Sequence, residues 1–385
     1  MLSNRPKTEI RNDGRILLTL LLVFMPWCAS AQEAHTVKIG FSGPLSGALV
    51  VAGKDALNGM QMAIERLNQQ RVEIGGKPVR FEAVIKDDKG ESQRGQVVAR
   101  ELSELGVKAV LGPFNSDVAL TVAGIYEEAG IVALTVASNP KVTQAGNGFM
   151  FRIAASDSDI GSKIARYAER TLKLRNVAII DNGSSYGRGL IDEFQRTARK
   201  GGMQIVFKEN VQERMTDFSA LLSTLNNTRA EAIFFGGYAA QGRLLLQQMR
   251  QTGMRKPLLG GDALCTLEMA GVVDDMRDDA VYCAQGGVWL TRVSDGAVFS
   301  STYQRKFGRA PDVYAATFYD GMMLLVQAMK SANSSNPAAF APVLAKLRYK
   351  GVAALYEFDG KHDLKESTVT ILRLKADGLT PLSSF

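Results

Sequence analysis

The chain has 385 residues, 46% of them hydrophobic and 22% charged, which suits a soluble globular protein of two lobes rather than one. Lys and Arg outnumber Asp and Glu by 46 to 39, a formal charge of +7, but no basic block with interleaved aromatics argues for a nucleic-acid partner. Two histidines, His35 and His362, are too few for a hydrolase triad or a histidine-ligated metal, so neither an enzyme nor a metal or cofactor site is expected.

Residues 1–31 read as a secretory signal peptide. Arg5, Lys7, Arg11 and Arg15 precede the apolar run Ile16 to Phe24, and Ala29-Ser30-Ala31 is a small-x-small signal that predicts cleavage before Gln32. Trp27, standing where a lipoprotein needs a small residue before Cys28, argues against lipidation. No other apolar run is long enough to span a bilayer. The mature chain is therefore expected to be exported and soluble, with a net charge of about +5. Export leaves Cys265 and Cys283 as an even pair in an oxidising compartment, where a disulfide is expected and two free buried thiols are the alternative.

From His35 onward the pattern alternates strand and helix. Val37–Phe41 predicts a strand, Ser42 to Gly47 a turn, and Asp55 to Asn68 an amphipathic helix with Leu57, Met60, Ile64 and Leu67 on one face. Strands are predicted over 79–85, 107–111, 131–135 and 149–153, with helices over 93–105 and 118–128 between them. The polar, aperiodic segment Ala154 to Asp159 is expected to be the first crossing between lobes. A second series follows, with helices predicted over 160–172, 187–200, 218–225 and 242–252 and strands over 177–181, 204–207, 232–235, 258–259 and 280–286. Helices over 297–307 and 315–331 are expected to return to the first lobe. Thr368–Leu374 reads as a strand whose alternation changes phase midway. The expected fold is α/β, two Rossmann-like lobes with parallel sheets and a cleft between them. The domain reading is 36–154 with 288–356 for one lobe and 155–287 with 357–385 for the other.

In such sheets ligands bind at the carboxyl ends of the strands. Ser116 and Ser138 sit at two such ends beside helix starts, where hydroxyls and free N–H groups suit a carboxylate or phosphate. The alternative is that both serines only cap their helices. In the second half Tyr186, Tyr238 and Asp262 stand at strand ends, against packing roles for the tyrosines and a cap role for Asp262. Together the two sets suit a zwitterion such as an amino acid.

The sequence resembles the periplasmic leucine/isoleucine/valine-binding protein family, the substrate-binding components of branched-chain amino acid ABC transporters. The resemblance runs from about Val37 to Leu374 and rests on Val37-Lys38-Ile39-Gly40, Gly43-Pro44-Leu45-Ser46-Gly47, Asn58-Gly59, Asp87-Asp88, Gly112-Pro113, Ile125-Tyr126-Glu127, Asn139-Pro140, Tyr186-Gly187, Gly236-Gly237-Tyr238 and Gly260-Gly261-Asp262. It implies three crossovers between the lobes, an amino acid ligand, a membrane ABC permease as partner, a periplasmic monomer and no cofactor. It also implies that Ser116 and Ser138 hold the α-carboxylate, that a carbonyl near Val136–Ala137 and Asp262 take the α-ammonium, and that Tyr186 and Tyr238 close over the ligand. Two departures stand out. Val51-Ala52 replaces an aromatic frequent in leucine-binding members, and the first-lobe disulfide is missing, with Asp88-Lys89 near its position. The other readings are a periplasmic sensor of amides or small carboxylates on the same fold, and an enzyme using Ser116, Ser138 and Asp262, which lacks a base.

Overall fold

The computed structural model describes residues 1–2, 5–9, 34–144, 148–273 and 280–385. The apolar run and cleavage signal of the expected signal peptide lie outside the described residues.

The first series comprises β1 (His35–Gly43), α1 (Val50–Gln69), β2 (Glu73–Ile74), β3 (Lys77–Asp87), α2 (Ser92–Glu104), β4 (Ala109–Leu111), α3 (Ser116–Glu128), β5 (Val132–Thr135), α4 (Lys141–Gln144) and β6 (Met150–Arg152). Its strands form a six-stranded sheet in the order β2-β3-β1-β4-β5-β6, parallel except for the β2–β3 hairpin. The short strands β4 and β5 are buried throughout, as expected where helices cover both faces of a parallel sheet.

The second series runs α5 (Asp157–Arg170), β7 (Asn176–Asp181), α6 (Ser185–Lys200), β8 (Gln204–Asn210), α7 (Ser219–Asn226), β9 (Ala232–Gly236), α8 (Ala239–Gln251), β10 (Leu258–Gly260), α9 (Leu267–Ala270) and β11 (Val281–Gly286). Helices α10 (Ser294–Phe307), α11 (Ala315–Ser331) and α12 (Pro337–Leu344) follow, then the hairpin β12 (Tyr349–Lys350) and β13 (Leu355–Tyr356), and finally β14 (Val369–Lys375) and β15 (Gly378–Ser384). The second sheet has the order β15-β14-β11-β10-β9-β7-β8. Phe299, Tyr303, Phe318, Leu325 and Phe340 of α10–α12 join Phe41, Phe81 and Phe151 in the core on one face of the first sheet. The chain thus passes between the sheets three times, after β6, after β11 and after β13.

Several boundaries differ from the sequence expectation for identifiable reasons. Helix α1 begins at Val50 rather than Asp55, because Asp55 is an interior carboxylate and no helix-start marker. Its Oδ1 accepts from the Tyr303 hydroxyl (2.8 Å) and Asp312 N–H (3.0 Å), and its Oδ2 from Tyr314 N–H (3.0 Å) and Ala315 N–H (2.8 Å). Helix α1 also lies close against α11, since a Cβ on Gly59 would stand 1.9 Å from the Ala315 carbonyl oxygen. Helix α5 starts at Asp157, three residues early, with Ser156 as its cap accepting from Asp159 N–H. The apparent phase change in β14 is a strand buried on both faces. Val369 and Ile371 join the core under α5 and α6, while Leu372 and Leu374 join the core under α7 and α8. Cys265 and Cys283 are joined by a disulfide that ties the segment after β10 to β11.

Candidate functional site: the cleft between the two sheets

The carboxyl ends of β4 and β5 supply one wall. Ser116 is the first residue of α3 and is 1% exposed; Ser138 lies in the loop after β5 and is 3% exposed. Neither hydroxyl caps a helix. The cap position of α3 is Asn115, and Lys141 N–H at the start of α4 is taken by the Asn139 side chain (2.9 Å). Ser116 Oγ instead accepts from Asn139 N–H (3.3 Å), tying the two strand ends together. The Thr135 hydroxyl donates to the Pro113 carbonyl (2.6 Å) and accepts from Ala137 N–H (3.0 Å), which fixes the loop carrying Val136, Ala137 and Ser138.

Behind that loop lies Arg152, fully buried at the end of β6. Its Nη1 donates to the carbonyls of Ala137 (2.7 Å) and Asn139 (2.8 Å), its Nη2 to Thr143 Oγ1 (2.8 Å) and Asp363 Oδ2 (2.9 Å), and its Nε to Asp363 Oδ1 (2.9 Å). Five charge-assisted bonds make this a rigid backing for the wall.

The second sheet supplies the opposite wall. Tyr186 sits in the first turn of α6, Tyr238 precedes α8, and Asp262 follows β10. The two tyrosine rings stack at 5.1 Å and 25°. The Asp262 carboxylate accepts from the Tyr186 hydroxyl (2.9 Å) and from the hydroxyl of Tyr314 (3.2 Å), which arrives from the start of α11 on the other side. Burial drives the Asp262 pKa above the usual carboxylate range, and the two tyrosine hydroxyls work in the opposite direction. Asp157 is fully buried nearby; burial first, then the charge of Asp262, holds its pKa well above the ordinary value.

Ser116, Val136, Ala137, Ser138, Tyr186, Tyr238 and Asp262 all line one small cavity, together with Phe114, Asn115, Ala263 and Tyr314. Phe114 and Tyr314 meet edge to face at 4.7 Å. A second small compartment adjoins it across Phe114, Tyr238, Ala263 and Tyr314, and is lined by Ala48, Leu49, Val51, Ala52, Thr266 and Glu268. The cleft therefore offers hydroxyls and N–H groups at one end, a carboxylate at the other and an apolar recess beside them. Among the described residues no group of three or more His, Cys, Asp and Glu could hold a metal ion.

A family model described as periplasmic binding protein matches residues 36–379. The chain belongs to this family. It is 30% identical to the Leu/Ile/Val-binding protein BraC3 of Rhizobium johnstonii over 281 residues, 72% of this chain and 74% of that one. Among solved structures it is similar to the leucine-binding protein LivK of Thermotoga maritima, at a TM-score of 0.83 and 25% identity over 91% of this chain and 98% of that one. It is also similar to the branched-chain amino acid substrate-binding protein LivJ of Streptococcus pneumoniae in complex with isoleucine, at a TM-score of 0.81 and 26% identity over the same shares. Membership places the protein among two-lobed periplasmic carriers and bears out the expectation that it is no enzyme.

Phe114, Asn115, Ala263 and Tyr314 in the lining, and Arg152 behind it, were not assigned to the site from the sequence. Tyr314 and Phe114 carried no local signal, since Tyr314 reaches Asp262 across 52 positions of sequence. Arg152 did carry one, because a lone cation inside the apolar run Met150 to Ile153 must find partners when buried.

Proposed function

We propose that the protein captures an L-α-amino acid with an aliphatic side chain and presents it to a membrane ABC permease. The observation behind this reading is the placement of Ser116 and Ser138 opposite Asp262 across one small buried cavity. The serine hydroxyls and neighbouring N–H groups take the α-carboxylate. Asp262 takes the α-ammonium, and the ammonium in turn favours its ionised form against the burial that disfavours it. Arg152 already engages the Ala137 carbonyl, so the second acceptor for the ammonium is the carbonyl of Val136, with Ala137 as wall. Tyr186 and Tyr238 cover the ligand from the second lobe, and Leu49, Val51 and Ala52 receive its side chain.

In this reading residues 36–154 with 288–356 move as one lobe and 155–287 with 357–385 as the other, closing by a hinge about the three crossings. A signal peptide ending before Gln32 directs export, and the mature chain acts as a monomer without nucleic acid. The test is a thermal-shift comparison of residues 32–385 with L-leucine, L-isoleucine and L-valine against 4-methylpentanoate, which keeps the carboxylate and loses the ammonium. A ligand at about a hundred times its dissociation constant stabilises by roughly 2.7 kcal/mol. A shift with the amino acids alone supports the zwitterion site. An equal shift with 4-methylpentanoate contradicts it and favours a carrier or sensor of plain carboxylates.

A further inference from the structure

One residue of the second-sheet half is gripped at every polar group by the first-sheet half. Ser185, the first residue of α6, donates its N–H to both carboxylate oxygens of Asp117 (3.1 Å each) and its hydroxyl to Asp117 Oδ1 (2.6 Å). Its carbonyl accepts from Asn139 Nδ2 (2.7 Å). The Asn139 side chain is itself held, since its Oδ1 accepts from Lys141 N–H. A carboxylate against the N-terminal N–H groups of a helix is a favourable charge–dipole arrangement. One turn further along α6 stands Gly189, where a Cβ would lie 2.8 Å from Asn139 Nδ2 and 2.6 Å from Asp157 Oδ2. Helix α6 thus settles onto Asn139 only because that position has no side chain. A second contact of the same kind lies across the cleft, where the Asp312 carboxylate accepts from Leu267 N–H (3.1 Å) at the first residue of α9.

Each member of this contact is the chain neighbour of a cavity residue: Asp117 follows Ser116, Asn139 follows Ser138, and Ser185 precedes Tyr186. We propose that Asp117 and Asn139 clasp Ser185 as a latch on the closed cleft, and that Gly189 is the clearance this latch requires. They are positioning residues. They touch no ligand, and they set Tyr186 over the cavity and fix how long a ligand is retained rather than which ligand is chosen. The inference rests on reading the cleft as the ligand site. Because the contacts form only as the halves come together, losing them speeds ligand release and leaves capture by the open form unchanged.

The experiment is stopped-flow binding of L-isoleucine to residues 32–385, with small-angle scattering of the same samples with and without it. Asp117→Ala and Asn139→Ala should each raise the dissociation rate about tenfold, with the association rate within about twofold of wild type. Asp117→Asn, which keeps one acceptor oxygen, should lose less. Gly189→Ala should keep the scattering radius at its open value in saturating L-isoleucine. Because that Cβ would also crowd Asp157 Oδ2 within the same half, its ligand-free melting temperature is expected to fall, and the two alanine variants at Asp117 and Asn139 decide. Unchanged dissociation rates in both would overturn the latch, as would affinity losses that merely follow a loss of ligand-free melting temperature. If wild type ignores L-isoleucine, the ligand reading fails and the latch is judged from ligand-free scattering alone. A ligand-free wild type at the compact radius of this structure that expands in Asp117→Ala then supports it, and a compact radius unchanged in Asp117→Ala, or a wild type that is never compact, refutes it.

Discussion

Replacing Arg152 by methionine keeps an unbranched apolar stem and deletes all five of the hydrogen bonds of the guanidinium. Two buried carbonyls, those of Ala137 and Asn139, lose their guanidinium partner, and Asp363 loses its ion pair. Breaking a buried pair by removing one partner costs about 3–5 kcal/mol, and here the Asp363 side chain is 23% exposed, so water recovers part of its share. A loss near 3 kcal/mol is the expected outcome. For a folded chain of about 350 residues the entropy of unfolding is about 0.7 kcal/mol per degree, so the melting temperature should drop by about 4 °C. Because Arg152 backs the loop bearing Val136 to Ser138, affinity for L-isoleucine should fall together with stability. Arg152→Lys, with at most three donors and no fork, should lie between the two proteins. The assay is differential scanning fluorimetry with and without ligand. A melting temperature for Arg152→Met within about 1 °C of wild type, with unaltered affinity, would refute the backing role.

Three further outcomes follow from buried groups. Burial, reinforced by the neighbouring Asp55, raises the pKa of Asp312 from 3.8 to about 7, and burial raises that of Asp320 to about 6. The folded chain therefore holds protons that the unfolded chain releases near 3.8, a contribution to stability that is full below that pH and lost as pH rises through 6 to 7. The melting temperature of the ligand-free protein should fall from pH 5 to pH 8, and Asp312→Asn should flatten the upper part of that fall; a rise over the same range would contradict the assignment. The disulfide closes a sequence separation of 18, so the Cys265→Ala/Cys283→Ala double variant should lose about 3 kcal/mol, or about 4 °C in melting temperature under non-reducing conditions. Gly59→Ala should destabilise despite the better helix propensity of alanine, because its Cβ has no room beside the Ala315 carbonyl; calorimetry showing a gain would contradict the close α1–α11 contact.

Much of the architecture was legible because strand ends in this fold are written in short apolar runs followed by glycine and small polar residues. Ala109–Leu111 before Gly112 and Val132–Thr135 before Ser138 carry that signature, and the structure brings Ser116 and Ser138 to the same wall. What escaped depends on partners remote in sequence. Asp55 looks like a helix-start acid until Tyr303 and the backbone of Tyr314 and Ala315 are seen around it. Tyr314 has no periodic or turn signal of its own, and its role exists only where the start of α11 meets Asp262. His362 reads as an exposed turn residue; it does occupy a turn with positive φ, but its ring stacks on Phe151 at 4.0 Å. The hairpin β12–β13 and strand β15 are short or edge elements whose polar composition gives no alternation to read.

The central claim is that a zwitterion is held between Ser116 and Ser138 on one wall and Asp262 on the other. Isothermal titration of L-isoleucine into wild type, Ser116→Ala and Asp262→Ala tests it most directly. Asp262→Ala should abolish measurable binding while leaving the chain folded, and Ser116→Ala should weaken it by about tenfold, the loss of one hydrogen bond to a charged group. Binding to Asp262→Ala at wild-type affinity would contradict the account.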